Sequence, residues 1–405
     1  MKKNLLLVHL ESLNLIMYRM NRHMFPFLSE IEKNCFFFDK YFSTATSTIM
    51  VISDLFYGGL NQYEQCDSLA CTLQEYVYES SLFDDLKQIG YYTEAFFYPG
   101  DRDTGDAQKR NMVGFHSNMV LKQDEKEYVL ELEKAMENRP FALLACNYIS
   151  NLAHPVGTRL NSGVDDWKYG FEAVEQNIKD LFAYLKKEKL MDSTTIVFYG
   201  DHGDEYWTHG MHKGLAHATE PYAPLIHTPL FIWDSGLQQG YSERLIDTTD
   251  IRKLLYRVLA EGMEINQAVE MVHRKYSLSR NAYAAQPLRK DSFSKAYSIT
   301  DGKYLMMVSN EGLSLFDIEM DPTCHNNFLR FFVLENNLIK ENDVVINQNS
   351  FHFRGFMNIR EIRLLRQKFY YMRAVLYQEV AKLYIAGNRT VESMASEMNF
   401  NKINY

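Results

Sequence analysis

The chain has 405 residues, of which 46% are hydrophobic and 23% are charged, and its formal net charge is -9 at pH 7. This length suits one large α/β domain with additions or two ordinary domains, and the hydrophobic fraction supports a sizeable core. The negative charge argues against a nucleic-acid partner, because no basic stripe offsets it. The negative charge does not exclude an anionic substrate, because a bound divalent cation would reverse the electrostatic field at the binding site.

The N-terminal sequence and the cysteines bear on where the protein works. MKKNLLLVHLESLN contains two lysines and a short apolar run, but it lacks the longer apolar stretch and small-residue cleavage site of a signal peptide. No stretch approaches the length of a transmembrane helix, so a cytoplasmic location is expected, with contact at the inner membrane face as an alternative. The five cysteines favour free thiols, although Cys66 and Cys71 are close enough to pair or to bind a metal.

Helix and strand patterns alternate over the first 236 residues. The continuous apolar run at 4–10 is typical of a parallel strand that is buried on both faces. The other predicted strands cover residues 35–42, 91–100, 141–149, 194–200 and 229–236. The predicted helices cover residues 25–33, a stretch from Ser53 towards Gly58, and residues 80–90, 128–140 and 169–190. This alternation predicts an α/β fold with a mostly parallel central sheet and helices on both faces.

The pattern changes after about residue 270. Residues 295–321 alternate short strands with Gly and Asn turns, which predicts a small antiparallel sheet, and residues 350–405 are helical in pattern. The stretch 352–375 is basic and apolar enough to contact a membrane surface, but a packed helix with a solvated basic face is favoured. We therefore expect three parts: an α/β domain with the candidate site over 1–270, a small antiparallel subdomain over 271–330 and a helical extension over 331–405.

Metal-ligating side chains follow two of the predicted parallel strands. Glu11 comes directly after the first strand, and the strand at 194–200 runs into Asp201-His202-Gly203-Asp204. In open α/β sheets, ligands collect at the carboxyl ends of the strands. Carboxylate and imidazole donors there suit a divalent cation such as Zn²⁺ or Mn²⁺, with Mg²⁺, Ca²⁺ and a second metal left open. A helix-capping acid at Glu11 and a polar turn after residue 200 are the alternatives.

A hydroxyl-rich segment, Ser43-Thr44-Ala45-Thr46-Ser47-Thr48, precedes an apolar stretch that starts a helix. A hydroxyl at a helix N-terminus lies near backbone N–H groups that favour a bound anion. Metal coordination lowers the pKa of such a hydroxyl and makes it a nucleophile near neutral pH. A run of N-capping residues is the alternative interpretation.

Several motifs in order resemble the sulfatase family of the alkaline-phosphatase superfamily, over roughly residues 4–330. The passage YGFEAVEQNIKDLFAYLKKEKLMDSTTIVFYGDHGDE resembles the family's helix, short Leu-Asp turn and strand ending in Asp-His-Gly. THGMHKG and PLIHTPLFIW resemble the segments that follow it, in which a His and a Lys face the anion and a strand returns. ITDGKYLMMVSNEGLSLFDIEMDPTCHNNF resembles the family's C-terminal sheet. The resemblance implies an alkaline-phosphatase-like α/β fold with a metal-dependent site.

The chain departs from the sulfatase pattern at the nucleophile. Sulfatases convert a Cys or Ser in a Cys/Ser-x-Pro-x-Arg motif into formylglycine, whereas the corresponding stretch here is Thr48-Ile49-Met50-Val51-Ile52. A Thr nucleophile, a Glu after the first strand and an Asp-His pair resemble the phosphoethanolamine transferases and lipoteichoic-acid synthases. That resemblance implies a nucleophile at Thr48 and one divalent metal held by Glu11, Thr48, Asp201 and His202.

The resemblance also points to residues that face the substrate. His209 and Lys213 correspond to the family's anion-binding pair, and His209 is favoured as the acting group. His154 in NLAHP corresponds to a substrate-facing His-x-Pro segment. His212 and His217 are candidates for contacting the substrate or completing a second metal site. For each histidine, a solvated or core position is the alternative.

The implied function is transfer of a substituted phosphate, of the phosphoethanolamine or phosphoglycerol type, from a phosphodiester donor to a glycan or its precursor. The alternatives are a phosphodi- or monoesterase that uses water, a sulfatase that works without formylglycine, and a non-catalytic scaffold of the same fold. Donor and acceptor assays separate the first two, and a scaffold predicts no bound metal. The oligomeric state is left open.

Overall fold

A computed structural model of the chain describes residues 2–60, 80–98, 118–122, 124–147, 164–205, 208–209, 219–281, 295–341 and 359–404. The chain divides into two compact units. One consists of Met1–His217 and Pro224–Arg274, and the other of Ala218–Ala223 and Lys275–Tyr405. The three-part division expected from the sequence stays a prediction.

The first unit is built around a mostly parallel sheet. Its strands in the described residues are β1 (Asn4–Leu10), β2 (Phe36–Phe38), β3 (Tyr41–Phe42), β4 (Tyr92–Tyr98), β5 (Asn118–Leu121), β6 (Phe141–Asn147), β7 (Thr194–Gly200), β8 (Leu230–Trp233), β9 (Gly240–Ser242) and β10 (Ile246–Asp247). Eight of them form one sheet in the order β5-β4-β6-β1-β7-β8-β2-β9, and β3 pairs with β10. Five neighbouring strands of this sheet, β5, β4, β6, β1 and β7, run parallel to one another. The next strand, β8, is antiparallel to its neighbours β7 and β2. The predicted α/β fold with a mostly parallel sheet is confirmed.

The two faces of β1 are buried in different clusters, because successive side chains of a strand point to opposite sides. Leu5 and Leu7 pack with the apolar residues of the helix Thr48–Tyr57. Leu6 on the opposite face packs with those of the long helix Val164–Lys187. Helices therefore cover both faces of the central strands, which explains why residues 4–10 contain an almost continuous apolar run.

The described helices of the first unit include Leu15–Met20, Pro26–Glu32, Thr48–Tyr57, Leu82–Gln88, Glu125–Ala135, Val164–Lys187, Thr248–Leu259 and Ile265–Met271, and a short helix covers Ala223–Ile226. The predicted helix start at Ser53 is wrong, because that helix begins at Thr48 after the extended residue Ser47. Its first turns contain Thr48, Ile49 and Val51, whose branched side chains lower the local helix propensity. Burial of the helix against the sheet overrides that preference, and Gly58 ends the helix with a φ of 69°.

The second unit contains an antiparallel sheet and helices. The strands β11 (Ser277–Asn281), β12 (Ala296–Thr300), β13 (Tyr304–Ser309) and β14 (Gly312–Asp317) form a sheet in chain order, which confirms the predicted small antiparallel sheet. The hairpin β15 (Phe332–Glu335) and β16 (Leu338–Glu341) precedes the helices, in a region that was expected to be helical. The helix Ile359–Ala386 contacts β12, β13 and the short helix Val391–Glu397.

Two further expectations concern the membrane and the cysteines. Within the described ranges, no helix combines the length and the apolar character that crossing a bilayer requires. Cys35, Cys146 and Cys324 are buried and form no disulfide in the described part of the chain. Cys66 and Cys71 lie outside the described residues.

Candidate metal and nucleophile site

Parallel pairing of β1 with β7 brings Glu11 and Asp201 together. Leu10 is in register with Gly200, so the next residue of each strand leaves the sheet at the same edge. Both side chains are fully buried. Ser12 fixes both carboxylates: its backbone N–H donates to Asp201 Oδ1 at 3.2 Å and its hydroxyl donates to Glu11 Oε1 at 3.2 Å. Ser12 has a φ of 58°, a left-handed conformation that is uncommon outside glycine and is often found at functional sites.

Thr48 reaches Glu11 and His202 from the helix that packs on the Leu7 face of β1. The buried residues Ile52 and Leu55 of this helix belong to the cluster that contains Leu7 of β1. Thr48, the first residue of the helix, therefore lies beyond the end of β1. Thr48 Oγ1 is 3.3 Å and 3.4 Å from the two carboxylate oxygens of Glu11 and 3.1 Å from His202 Nε2.

His202 directs its Nε2 to the acids. Its Nδ1 lies 2.8 Å from the Gly203 carbonyl oxygen, so the Nδ1–H donates there and Nε2 is the nitrogen that faces the acids. Nε2 is 3.3 Å from Asp201 Oδ2 and 3.7 Å from Glu11 Oε1. Gly203 must be glycine, because a Cβ there would lie 1.9 Å from the carbonyl oxygen of Pro224.

The Thr48 hydroxyl contacts Glu11 and His202, and His202 contacts both acids, with donor-atom distances of 3.1–3.7 Å. Ligands in a tetrahedron with bonds of about 2.1 Å would lie about 3.4 Å apart. Two fully buried carboxylates are also costly in free energy unless positive charge compensates them. Both the spacing and the chemistry of these residues fit a divalent cation.

His9 adds a second imidazole to this group. Its Nε2 lies 3.3 Å from Glu11 Oε2 and 3.1 Å from Asp201 Oδ2. Donor atoms of His9, Glu11 and Asp201 all lie within 4.8 Å of one another. Burial alone would raise the pKa of the Asp201 carboxyl, but in the metal-free site the positive charge of the protonated imidazoles of His202 and His9 holds that pKa well below its usual value. Asp201 is therefore ionised at neutral pH and available as a negative ligand.

His209 is held by a buried carboxylate. Its Nδ1 lies 2.6 Å from Glu205 Oε2; the Glu205 side chain is fully buried, whereas 16% of the His209 side chain is exposed. Because the Nδ1–H donates to Glu205, proton exchange with a substrate would take place at Nε2. The pair has the arrangement of a general acid or base with an orienting carboxylate.

The structure brings together the four predicted metal-site residues, Glu11, Thr48, Asp201 and His202. Lys213, His154, His212 and His217 lie outside the described residues, so their roles stay predictions, as does the catalytic role of His209.

Three residues near the site, His9, Ser12 and Glu205, were not predicted from the sequence. His9 is a polar residue near the end of an apolar strand and two positions before Glu11, a spacing that puts both side chains on one face. Glu205 precedes His209 by four residues, a spacing that pairs side chains within helical turns. Ser12 had no comparable signal, because its role depends on its backbone N–H and its φ.

A protein-family model matches more than half of the chain. The model is named Sulfatase, and it matches residues 3–144 and 164–258. Both matched segments carry residues of the site: Glu11 and Thr48 lie in the first, and Asp201 and His202 in the second.

Two curated proteins are similar to the chain. Lipoteichoic acid synthase 2 of Bacillus subtilis (strain 168) is 22% identical over 377 residues, which cover 82% of this chain and 58% of that protein. The uncharacterized sulfatase YdeN of Escherichia coli (strain K12) is 33% identical over 91 residues, which cover 21% of this chain and 16% of that protein. The chain therefore spans less than two thirds of the length of these relatives.

Solved structures show the same fold. The PsFucS1 sulfatase from Pseudoalteromonas sp. aligns with a TM-score of 0.58 at 12% identity, and the alignment covers 81% of this chain and 86% of that one. At this identity the likeness shows the fold alone.

Proposed function

The chain belongs to the sulfatase family, and from this premise we propose that it transfers a substituted phosphate group through a covalent intermediate on Thr48. The observation that carries the proposal is the position of the Thr48 hydroxyl, 3.1 Å from His202 Nε2 and 3.3 Å from Glu11 Oε1. A threonine cannot be converted into formylglycine, which favours phosphoryl transfer over sulfate-ester hydrolysis.

Glu11, Thr48, Asp201 and His202 would hold one divalent cation. Zn²⁺ and Mn²⁺ suit this mixture of oxygen and nitrogen donors. When bound, the cation lowers the pKa of the Thr48 hydroxyl and offsets the negative charge of the phosphate. The convergence of buried carboxylates with imidazole supports this assignment.

In the first step, Thr48 Oγ1 forms a bond to phosphorus and the ester P–O bond to the donor's alcohol breaks. The hydroxyl proton passes to the Glu11 carboxylate, whose nearer oxygen is 3.3 Å away. The leaving oxygen takes a proton from Nε2 of His209, while the Glu205 carboxylate holds the Nδ1–H of that ring. Backbone N–H groups at the start of the helix Thr48–Tyr57 stabilise the negative charge of the phosphate group.

In the second step, a hydroxyl of the acceptor attacks the phosphorus of phosphothreonine 48 and the bond from phosphorus to Oγ1 breaks. The acceptor's proton passes to His209 Nε2, and Thr48 recovers its proton from Glu11. Both residues end in the protonation state in which they began, so the cycle is balanced.

The similarity to a protein named lipoteichoic acid synthase supports a phosphoglycerol-type group, and phosphoethanolamine is the alternative. We propose a glycan or its precursor as the acceptor. Hydrolysis by water is the second candidate, which membership of the sulfatase family favours.

Labelled phosphodiester donors test the proposal. The purified protein would be supplied with Mn²⁺ or Zn²⁺ and each donor, with and without glycan acceptors. A transferase places the label on the acceptor. A hydrolase releases the labelled group into solution at the same rate whether or not an acceptor is present. The absence of metal-dependent turnover with every phosphodiester would contradict both.

A further inference from the structure

We propose that His9 is a further ligand of the cation at this site, oriented by Cys146, and that it directs the site towards transition metals rather than Mg²⁺ or Ca²⁺. This inference rests on the proposed metal centre of Glu11, Thr48, Asp201 and His202. It adds a ligand from inside the sheet to residues that lie at the sheet's edge or beyond it.

The position of His9 follows from the register of the central strands. His9 is the Cα partner of Cys146 in β6 on one side and of Tyr199 in β7 on the other. Its side chain is fully buried, and the Tyr199 ring lies 5.5 Å from the imidazole ring. A buried imidazole held on both sides in this way faces the two carboxylates with little freedom to turn away.

The spacing of His9 from the acids matches that of His202. His9 Nε2 is 3.1 Å from Asp201 Oδ2, and His202 Nε2 is 3.3 Å from the same oxygen. His9 Nε2 is also 3.3 Å from Glu11 Oε2. By distance and by donor type, His9 therefore qualifies as a ligand on the same grounds as His202.

Cys146 contacts the nitrogen of His9 that faces away from the acids. Its Sγ lies 2.7 Å from His9 Nδ1. When the Nδ1–H donates to sulfur, the Nε2 lone pair faces two carboxylate oxygens, an arrangement that is repulsive without a cation between them. Metal-bound histidines usually donate their other ring N–H to a neighbouring acceptor in this way. The opposite tautomer would make His9 a hydrogen-bond donor to Asp201 instead of a ligand.

A second imidazole has a consequence for metal choice. Carboxylate and hydroxyl oxygens suit Mg²⁺, Ca²⁺ and Mn²⁺, whereas imidazole nitrogen suits Zn²⁺ and related transition metals. Removing His9 should therefore weaken Co²⁺ or Zn²⁺ binding by at least about tenfold. Binding of Mg²⁺ should change much less, so the ratio of the two affinities falls.

Pulsed electron paramagnetic resonance of bound Mn²⁺ counts the ligand nitrogens directly, in protein labelled with ¹⁵N-histidine. We expect two histidine couplings in the unchanged protein and one in His9→Gln. The control is His227→Gln, which removes a partly buried histidine whose Nε2 lies 2.7 Å from the Asp39 carbonyl oxygen. That variant should keep both couplings. Titrations of each protein with Co²⁺ and Mg²⁺ give the affinity ratio.

The outcomes separate this inference from the metal centre on which it rests. Failure of the unchanged protein to bind Mn²⁺ would overturn the metal centre itself. If the unchanged protein binds Mn²⁺ with a single histidine coupling, the role of His9 is overturned while the metal centre stands. This result comes from the unchanged protein, so it does not depend on the folding of any variant. In Cys146→Ala we expect two couplings with affinity weakened by about tenfold, and an unchanged affinity would remove Cys146 from the proposal.

Discussion

Thr48 Oγ1 lies 3.1 Å from His202 Nε2, although the two residues are 154 positions apart in the chain. The contact joins the start of the helix Thr48–Tyr57 to the segment that follows β7. Because the His202 Nδ1–H donates to the Gly203 carbonyl, Nε2 is the nitrogen that is directed to the site. The hydroxyl that we propose as the nucleophile is thus placed by the same residues that would hold the cation.

Replacing Thr48 tests the nucleophile. We expect Thr48→Ala to lower turnover by at least about three orders of magnitude, because no oxygen remains to bond to phosphorus. Metal should still bind, since Glu11, Asp201 and His202 are retained. Thr48→Ser, which keeps a hydroxyl, should retain measurable turnover. Steady-state rates and metal content check both variants, and unchanged turnover in Thr48→Ala would rule Thr48 out.

Glu205 should act as a positioning residue for His209. In Glu205→Gln the neutral amide no longer stabilises the imidazolium across the 2.6 Å contact with Nδ1. We expect turnover to fall about 100-fold and the basic limb of the pH–rate profile to move to lower pH. Glu188→Gln is the control, because this partly exposed glutamate contacts Lys187 just beyond the end of the helix Val164–Lys187. A uniform loss of rate with an unmoved profile would indicate a merely structural role.

Much of the fold was predictable because burial on both faces leaves a clear pattern. The apolar runs 4–10 and 194–200 correspond to the observed β1 and β7 at both ends. The predicted strand 35–42 instead divides into β2 and β3, because β3 leaves the main sheet to pair with β10. That division depends on a partner about 200 residues away along the chain, which no local pattern reports.

The site was predictable only where its residues follow strands directly. Glu11 and Asp201 could be inferred from the strand ends, since parallel strands bring those ends to one edge. The contact of His9 with Cys146 depends on the register of β1 with β6, and a register is not visible in either strand alone. The left-handed backbone conformation of Ser12 also depends on tertiary structure, so the local sequence does not predict it.

Gly203 should be intolerant of any side chain. A Cβ there would lie 1.9 Å from Pro224 O and 2.7 Å from Asn14 Cβ, so the backbone next to His202 must shift. We expect Gly203→Ala to lower the free energy of unfolding by about 1–3 kcal/mol and to weaken metal binding. Gly236→Ala is the milder control, because its nearest contact would be Asp234 Oδ1 at 3.2 Å. Equal stability and equal metal affinity in the two variants would contradict this reasoning.

Asp247 gives a pH dependence to stability. It caps the helix Thr248–Leu259, and burial raises its pKa to about 6, with Asp250 adding to the rise and Arg274 opposing it. The folded state therefore holds this proton more tightly than the unfolded chain. The contribution to stability is greatest below the unfolded pKa and falls as the pH rises from about 4 to about 6.

Asp247→Asn removes this titration and can keep the cap, since the Asn oxygen can accept the Thr249 N–H. We expect the free energy of unfolding of the metal-free protein to depend less steeply on pH over that interval. Asp124→Asn, at the exposed cap of the helix Glu125–Ala135, is the matched control. Urea unfolding at a series of pH values provides the measurement, and an unchanged slope in Asp247→Asn would contradict the account.

The most direct test of the central claim is peptide mapping of the protein after a brief reaction with a phosphodiester donor and Mn²⁺ or Zn²⁺, in the absence of acceptor. We expect an adduct on the peptide that contains Thr48, and the added mass would identify the transferred group. The adduct should disappear when a productive acceptor is supplied. Metal-dependent turnover with no adduct at Thr48, or with an adduct on another residue, would contradict the proposed mechanism.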